Sequence, residues 1–137
     1  MKPDVKTPVE QFYSGSLNGE SRKVEELLDS DVALYWNSSA GFKKLGFEEI
    51  SELARVLSSS FESLRPEISH LLADGDMVTI RFTYYVRTIE NPDEEVPMAH
   101  FIAIWQVRDG KLYKGHQISQ QADDSPESLD SFLPNNA

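Results

Sequence analysis

Residues 77–89, MVTIRFTYYVRTI, alternate apolar and polar side chains almost without a break. Val78, Ile80, Phe82, Tyr84 and Val86 fall on one face, with Thr79, Arg81, Thr83, Tyr85 and Arg87 on the other. A period of two sustained over so long a run specifies a β-strand with one face in a core. Asp74-Gly75 stands just before it, and Asp109-Gly110 follows the next apolar run; both pairs suit the positive φ of tight hairpin turns. The spacing predicts strands over 67–73, 77–89, 96–105 and 111–120, joined by turns and by the polar loop Asn91-Pro92-Asp93-Glu94-Glu95. The result is an antiparallel meander.

The third of these strands differs in character. VPMAHFIAIW, residues 96–105, places Ala99, Phe101, Ala103 and Trp105 on one side and Met98, His100, Ile102 and Ile104 on the other. Both sides are apolar, as in a central strand covered on both faces. Small alanines between aromatic rings can leave room for a cavity.

The first half of the chain has helical spacing. Thr7-Pro8-Val9-Glu10 reads as a helix start with Thr7 as cap; Val9, Phe12, Tyr13 and Leu17 form its stripe, and Asn18-Gly19 ends it. A short helix fits Ser21 to Asp29, a strand fits Val32 to Asn37, and a longer helix runs from Phe47 to about Phe61 with Ile50, Leu53, Leu57 and Phe61 on one stripe. Helices first and a strand meander afterwards define an α+β fold. Its parts are an N-terminal tail over 1–6, one domain over 7–121, and an acidic segment over 122–137 that reads as a flexible tail. Within that segment Ser125-Pro126-Glu127 with Leu129, Phe132 and Leu133 could form a docked helical turn.

Charge narrows the partners. Thirteen Lys and Arg stand against 23 Asp and Glu, a formal charge of -10, which repels nucleic-acid phosphates and anionic lipid surfaces. No apolar run approaches the roughly 20 residues that span a bilayer. The opening MKPDVKTP lacks the apolar segment of a secretion signal, so the chain reads as a soluble cytoplasmic protein. With no cysteine, neither disulfides nor thiolate chemistry is available.

Four stretches in order, VEQFYSGSLNG, LLDSDVALYWN, VPMAHF and VRDGKLYKGHQISQ, resemble the nuclear-transport-factor-2-like superfamily, in particular its SnoaL-like and ketosteroid-isomerase-like branch. The resemblance implies a strongly curved antiparallel sheet wrapped around the N-terminal helices, a largely apolar pocket in the cone, and a homodimer formed through the outer sheet face. Ketosteroid isomerase works with an Asp base and an oxyanion hole of a Tyr and a protonated Asp. Tyr13 matches the tyrosine, whereas the base falls near Trp36 or Asn37 and the second Asp on Ala99. An acid on the last strand, important in limonene epoxide hydrolase-like and SnoaL-like relatives, falls on Gln117, with Ser119 next on the same face. Glutamine orients a ligand but is neither acid nor base.

These departures favour binding over catalysis. The expected ligand is a small, mostly apolar molecule contacted by Trp36, Phe82, Tyr84, Ala99, Phe101 and Trp105 and oriented by Tyr13, Gln117 and Ser119, with no cofactor and no metal. His70 shares strand parity with Ile68 and Leu72, which would turn it into the cone. An isomerase, cyclase or lyase acting on a carbonyl compound would then use His70 as base and Tyr13 as oxyanion donor. A third reading is an association module with a filled cone. His100, Ile102, Ile104 and His116 are placed on the outer face as dimer contacts.

Overall fold

A computed structural model describes residues 4–14, 24–123 and 125–133. Helix α1 spans Lys6–Ser14 and buries Pro8, Val9 and Tyr13. It starts at Lys6, two residues before the Pro8 start that a Thr7 cap would dictate, and the Asp4 carboxylate accepts from the Lys6 amide at 2.9 Å. The expected end at Asn18-Gly19 lies outside the described residues. Of the second helix, α2 (Val24–Leu27) is described; at Leu28 the chain passes directly into β1, Leu28–Ser38. This strand is longer than its β-forming core of 32–37.

A short strand unforeseen from the sequence follows. β2 (Gly41–Leu45) turns back on β1 with Trp36 opposite Lys43, and Gly41 has φ 111°, a conformation that side-chain-bearing residues avoid. Helix α3, Phe47–Ser60, begins where the Glu49 carboxylate accepts from the Gly46 amide at 3.0 Å. Ile50 is its one fully buried side chain.

The meander forms as the period-two pattern dictates: β3 (Ser63–Asp74), β4 (Met77–Arg87), β5 (Glu95–Arg108) and β6 (Lys111–Gln121). The Asp109-Gly110 turn has φ 53° and 77°, the doubly positive pair of a two-residue hairpin. All six strands form one sheet in the order β2-β1-β6-β5-β4-β3, with β1 parallel to β6 and every other pair antiparallel. The sheet is curved and unclosed, and the N-terminal helices pack inside it.

Pairing register fixes what faces the cone. One inward row runs Leu34, Gly115, Trp105, Val78; the next runs Trp36, Gln117, Ala103, Ile80; a third runs Ser119, Phe101, Phe82, Ile68. Val78, Ile80, Phe82, Trp105 and Leu112 are wholly excluded from solvent. At roughly 1.5–3 kcal/mol for each large apolar side chain buried, these rows are the principal source of stability.

Two bulges change the parity read from the sequence. Between Ile68 and His70 the β3–β4 register slips, so Ser69 is the extra residue: Ile68 pairs with inward Phe82, but His70 pairs with outward Arg81 and Leu72 with Thr79. His70 and Leu72 are therefore exposed, and Leu71 takes the inward position. A second slip falls between Tyr84 and Tyr85, which pair with Ala99 and Pro97; Met98, expected on the outer face, is half-buried against the core instead.

Residues 125–133 lie against the convex side of the sheet. Ser125 caps α4 (Pro126–Asp130) through the Ser128 amide, and just beyond it the Phe132 ring stacks on His100 with centroids 4.0 Å apart. The Arg81 guanidinium sits 3.7 Å from the same ring's centroid and donates to the Ser131 carbonyl at 3.3 Å. His100 is consequently 3% exposed, with Thr83 Oγ1 2.7 Å from its Nδ1.

Candidate functional site

At the centre of the cone Tyr13 reaches from α1 to the inner face of the sheet. Trp105 Nε1 donates to the Tyr13 hydroxyl at 2.9 Å, and that hydroxyl donates to Gln117 Oε1 at 2.6 Å. The direction follows from chemistry: indole can only donate, so the phenol accepts from it and its own proton goes to the amide oxygen. Tyr84 reinforces the position by donating its hydroxyl to the Tyr13 carbonyl at 2.8 Å. Burial raises both phenols far above the ordinary tyrosine value, in Tyr13 against the lowering effect of the Trp105 bond. Both are neutral donors at any physiological pH.

One glycine makes this arrangement fit. A Cβ at Gly115 would lie 2.7 Å from three atoms of the Trp105 ring, so the indole rests directly on bare backbone. Beside Gln117, between the sheet and α3, a space is left unfilled.

That space is a cavity of about 60 Å³. Tyr13, Trp36, Tyr84, Phe101 and Gln117 line its sheet and α1 sides, and Ile50, Leu53, Ala54 and Leu57 of α3 close it from above. The described lining holds no carboxylate, imidazole, ammonium or guanidinium group. Its hydrogen-bonding capacity is neutral. Trp36 is committed, with Nε1 donating to Ser119 Oγ at 2.8 Å. Gln117 is half committed, its Nε2 having no partner among the described residues.

The expected site residues thus divide. Tyr13, Trp36, Tyr84, Phe101 and Gln117 come together on the cavity. Trp105 and Ser119 stand one layer behind, bonded to Tyr13 and Trp36, and Phe82 stacks on Phe101 at 5.1 Å with no exposure of its own. Ala99 is half-buried beside Tyr84, off the lining. His70 is not brought to Tyr13: it is exposed on the edge strand with Ser69 Oγ 3.0 Å from its Nδ1, so the base of the enzyme reading stands outside the cone. On the convex face Ile102, Ile104 and His116 are exposed, His116 stacked on Tyr35, whereas His100 is covered by the chain's own Phe132.

Sequence reasoning missed the α3 wall and Gly115. A lone glycine inside the otherwise regular strand KLYKGHQISQ was the available signal for close ring-to-backbone contact.

The fold and this cone site define a class. Residues 9–114 match the SnoaL-like domain family, and the chain belongs to it. No curated protein matches. Among solved structures, the chain is similar to IdmH from Streptomyces antibioticus, which carries a provisional polyketide-cyclase assignment: 16% identity, 85% of this chain and 92% of that one covered, TM-score 0.67. It is similar to a protein of ketosteroid isomerase-like fold from Catenulispora acidiphila in complex with trimethylamine, at 17% identity, 98% and 96% coverage and TM-score 0.60. TerC, co-crystallised with polyporic acid, matches at 18% identity, 84% and 91% coverage and TM-score 0.59. Identities this low carry the fold alone. No helix among the described residues is long and apolar enough to cross a membrane.

Proposed function

We propose that the protein binds a small, mostly apolar, uncharged molecule in the cone, held through a carbonyl or ether oxygen by Gln117 Nε2. The observation that carries this is the direction of the buried relay. Trp105 donates to the Tyr13 hydroxyl and that hydroxyl to Gln117 Oε1, which leaves the amide NH₂, with no partner among the described residues, as the donor beside an apolar cavity. A donor at an apolar cavity gains from an acceptor that arrives with an apolar body, because that body excludes the water that would otherwise compete for it. That TerC was crystallised with polyporic acid and the Catenulispora protein with trimethylamine supports small-molecule occupancy in this fold.

The cavity as it stands, about 60 Å³, holds only a few water-sized spheres, against roughly 300–1,000 Å³ for a typical ligand pocket. Binding therefore includes an outward shift of α3, whose burial rests on Ile50. A thermal-shift screen against aromatic ketones, quinones, steroids, terpenoids and fatty acids tests the reading. A stabilising neutral carbonyl ligand, recovered unaltered afterwards, is the expected result; a ligand recovered as product establishes turnover instead.

The proposed assembly is a homodimer through the convex face. Ile102 and Ile118 pair across β5 and β6 and are 42% and 59% exposed, with Ile104 beside them at 42%. A twofold contact would cover them. Light scattering of wild type and Ile118→Lys tests this: a dimer that becomes a monomer is expected, and a monomeric wild type excludes it.

A further inference from the structure

We propose that ligands enter the cone through the groove between the β1–β2 hairpin and α3, with Trp36 and Leu53 as its gate and the rim carboxylates selecting against anions. This rests on the cone-binding reading above. The groove, about 610 Å³, is lined by Lys43 and Leu45 on the hairpin side and by Glu48, Glu52 and Val56 on the helix side. Trp36 and Leu53 line both this groove and the inner cavity, so they form the partition between the two spaces.

Both partition residues can yield. Trp36 is half-buried and pairs across the sheet with Lys43 on one side and Gln117 on the other, one step from the edge strand. Its indole is held by a single hydrogen bond, to Ser119. Leu53 is half-buried on a helix anchored by one fully buried side chain. A small outward movement of α3 joins groove and cavity without breaking a strand pairing.

A second groove, about 500 Å³ between α1 and β3, meets the cavity only at Leu64. Leu64 is 8% exposed, and Arg65 bridges this groove's rim with two bonds to Glu95, at 3.0 and 2.8 Å. It is the tighter route.

The rim of the hairpin–α3 groove carries Glu48, Glu49 and Glu52 against Lys43. Glu49 is used at the helix start and Glu52 pairs with Arg55, yet the sum of the rim remains negative, on a chain of charge -10. A field of this sign slows the approach of carboxylates and sulfonates and leaves neutral or cationic ligands unhindered.

The chain has no cysteine, so single engineered thiols can be labelled uniquely. Val56→Cys on the proposed route and Ser63→Cys on the other groove are each coupled to maleimide-polyethylene glycol, and stopped-flow fluorescence follows uptake of neutral N-phenylnaphthylamine and anionic anilinonaphthalene sulfonate. The label at Val56→Cys is expected to slow uptake of the neutral probe about tenfold or more while leaving its equilibrium affinity in unlabelled protein unchanged, and the label at Ser63→Cys to leave the rate within about twofold. The sulfonate is expected to enter more slowly than the neutral probe, and Glu48→Gln with Glu52→Gln to narrow the gap. Slowing by the Ser63→Cys label alone, or a rate indifferent to both labels, overturns the route while the cone reading stands. Absence of equilibrium binding by the neutral probe overturns both.

Discussion

The Tyr13 hydroxyl donates to Gln117 Oε1 across 2.6 Å, tying α1 to the last strand over a separation of 104 residues. The bond is closed from behind by Trp105, so two buried partners share one phenolic oxygen. Tyr13→Phe removes that oxygen at nearly constant shape. It strands the Trp105 donor and the Gln117 acceptor together, each left unsatisfied at about 1–3 kcal/mol. Urea unfolding should show a loss of at least about 2 kcal/mol, compared with about 0.5–1.5 kcal/mol for Tyr84→Phe, which gives up one bond to a backbone carbonyl. Equal losses would mean that the relay does not act as a unit.

Gly115 serves the same relay from beneath. Its α-carbon is where the Trp105 indole rests, and an added methyl would lie 2.7 Å from the ring. Trp105 is wholly buried and cannot swing out to solvent. Gly115→Ala is expected to cost about 1–3 kcal/mol as an overpacked core does, and to alter the near-ultraviolet circular dichroism of the indole. An unchanged spectrum and stability would show that the ring has room to move.

His70→Ala should do little. The bulge at Ser69 turns the imidazole outward to an exposed edge position, away from Tyr13. Stability should stay within about 0.5 kcal/mol, as for ordinary surface changes, and probe affinity should be unaltered. A loss of binding in this variant would restore a role for His70 in the cone.

His100 gives the protein a pH dependence. Burial first, and then the Arg81 guanidinium, hold its imidazole below the ordinary value, with Asp123 opposing. The folded chain therefore takes up this proton at lower pH than the unfolded chain. The associated stability is complete above the unfolded histidine value of about 6.5 and is lost as pH falls below it. Phe132→Ala re-exposes the ring, so its titration, followed by NMR, should move up toward the ordinary value. An unmoved midpoint would mean that the C-terminal segment does not shield His100.

What the sequence made legible was whatever depends on period. The alternation through 77–89 and the paired turn residues place β3 to β6 in order, and Tyr13, Trp36, Tyr84, Phe101 and Gln117 all reach the cavity. The failures lie where a single residue breaks the period. Ser69 and Met98 are each one extra residue in a strand, and one extra residue inverts every side chain on its far side; this is how His70 passes from inside to outside. Phe82 and Trp105 have the right parity yet sit behind the lining, because depth within a core depends on neighbours such as Gly115 that parity does not register. The cover over His100 comes from Phe132, one of the residues that marked a possible docked turn in a segment whose acidic composition read as a flexible tail.

Ala54→Phe tests the central claim most directly. Ala54 lines the cavity from α3, and a phenyl ring there would fill a space of about 60 Å³ that holds no buried charge. Equilibrium titration of N-phenylnaphthylamine into wild type and Ala54→Phe, with circular dichroism to establish that the variant is folded, should give saturable binding in the first and none in the second. Equal affinity in both would place the ligand outside the cone and contradict the account.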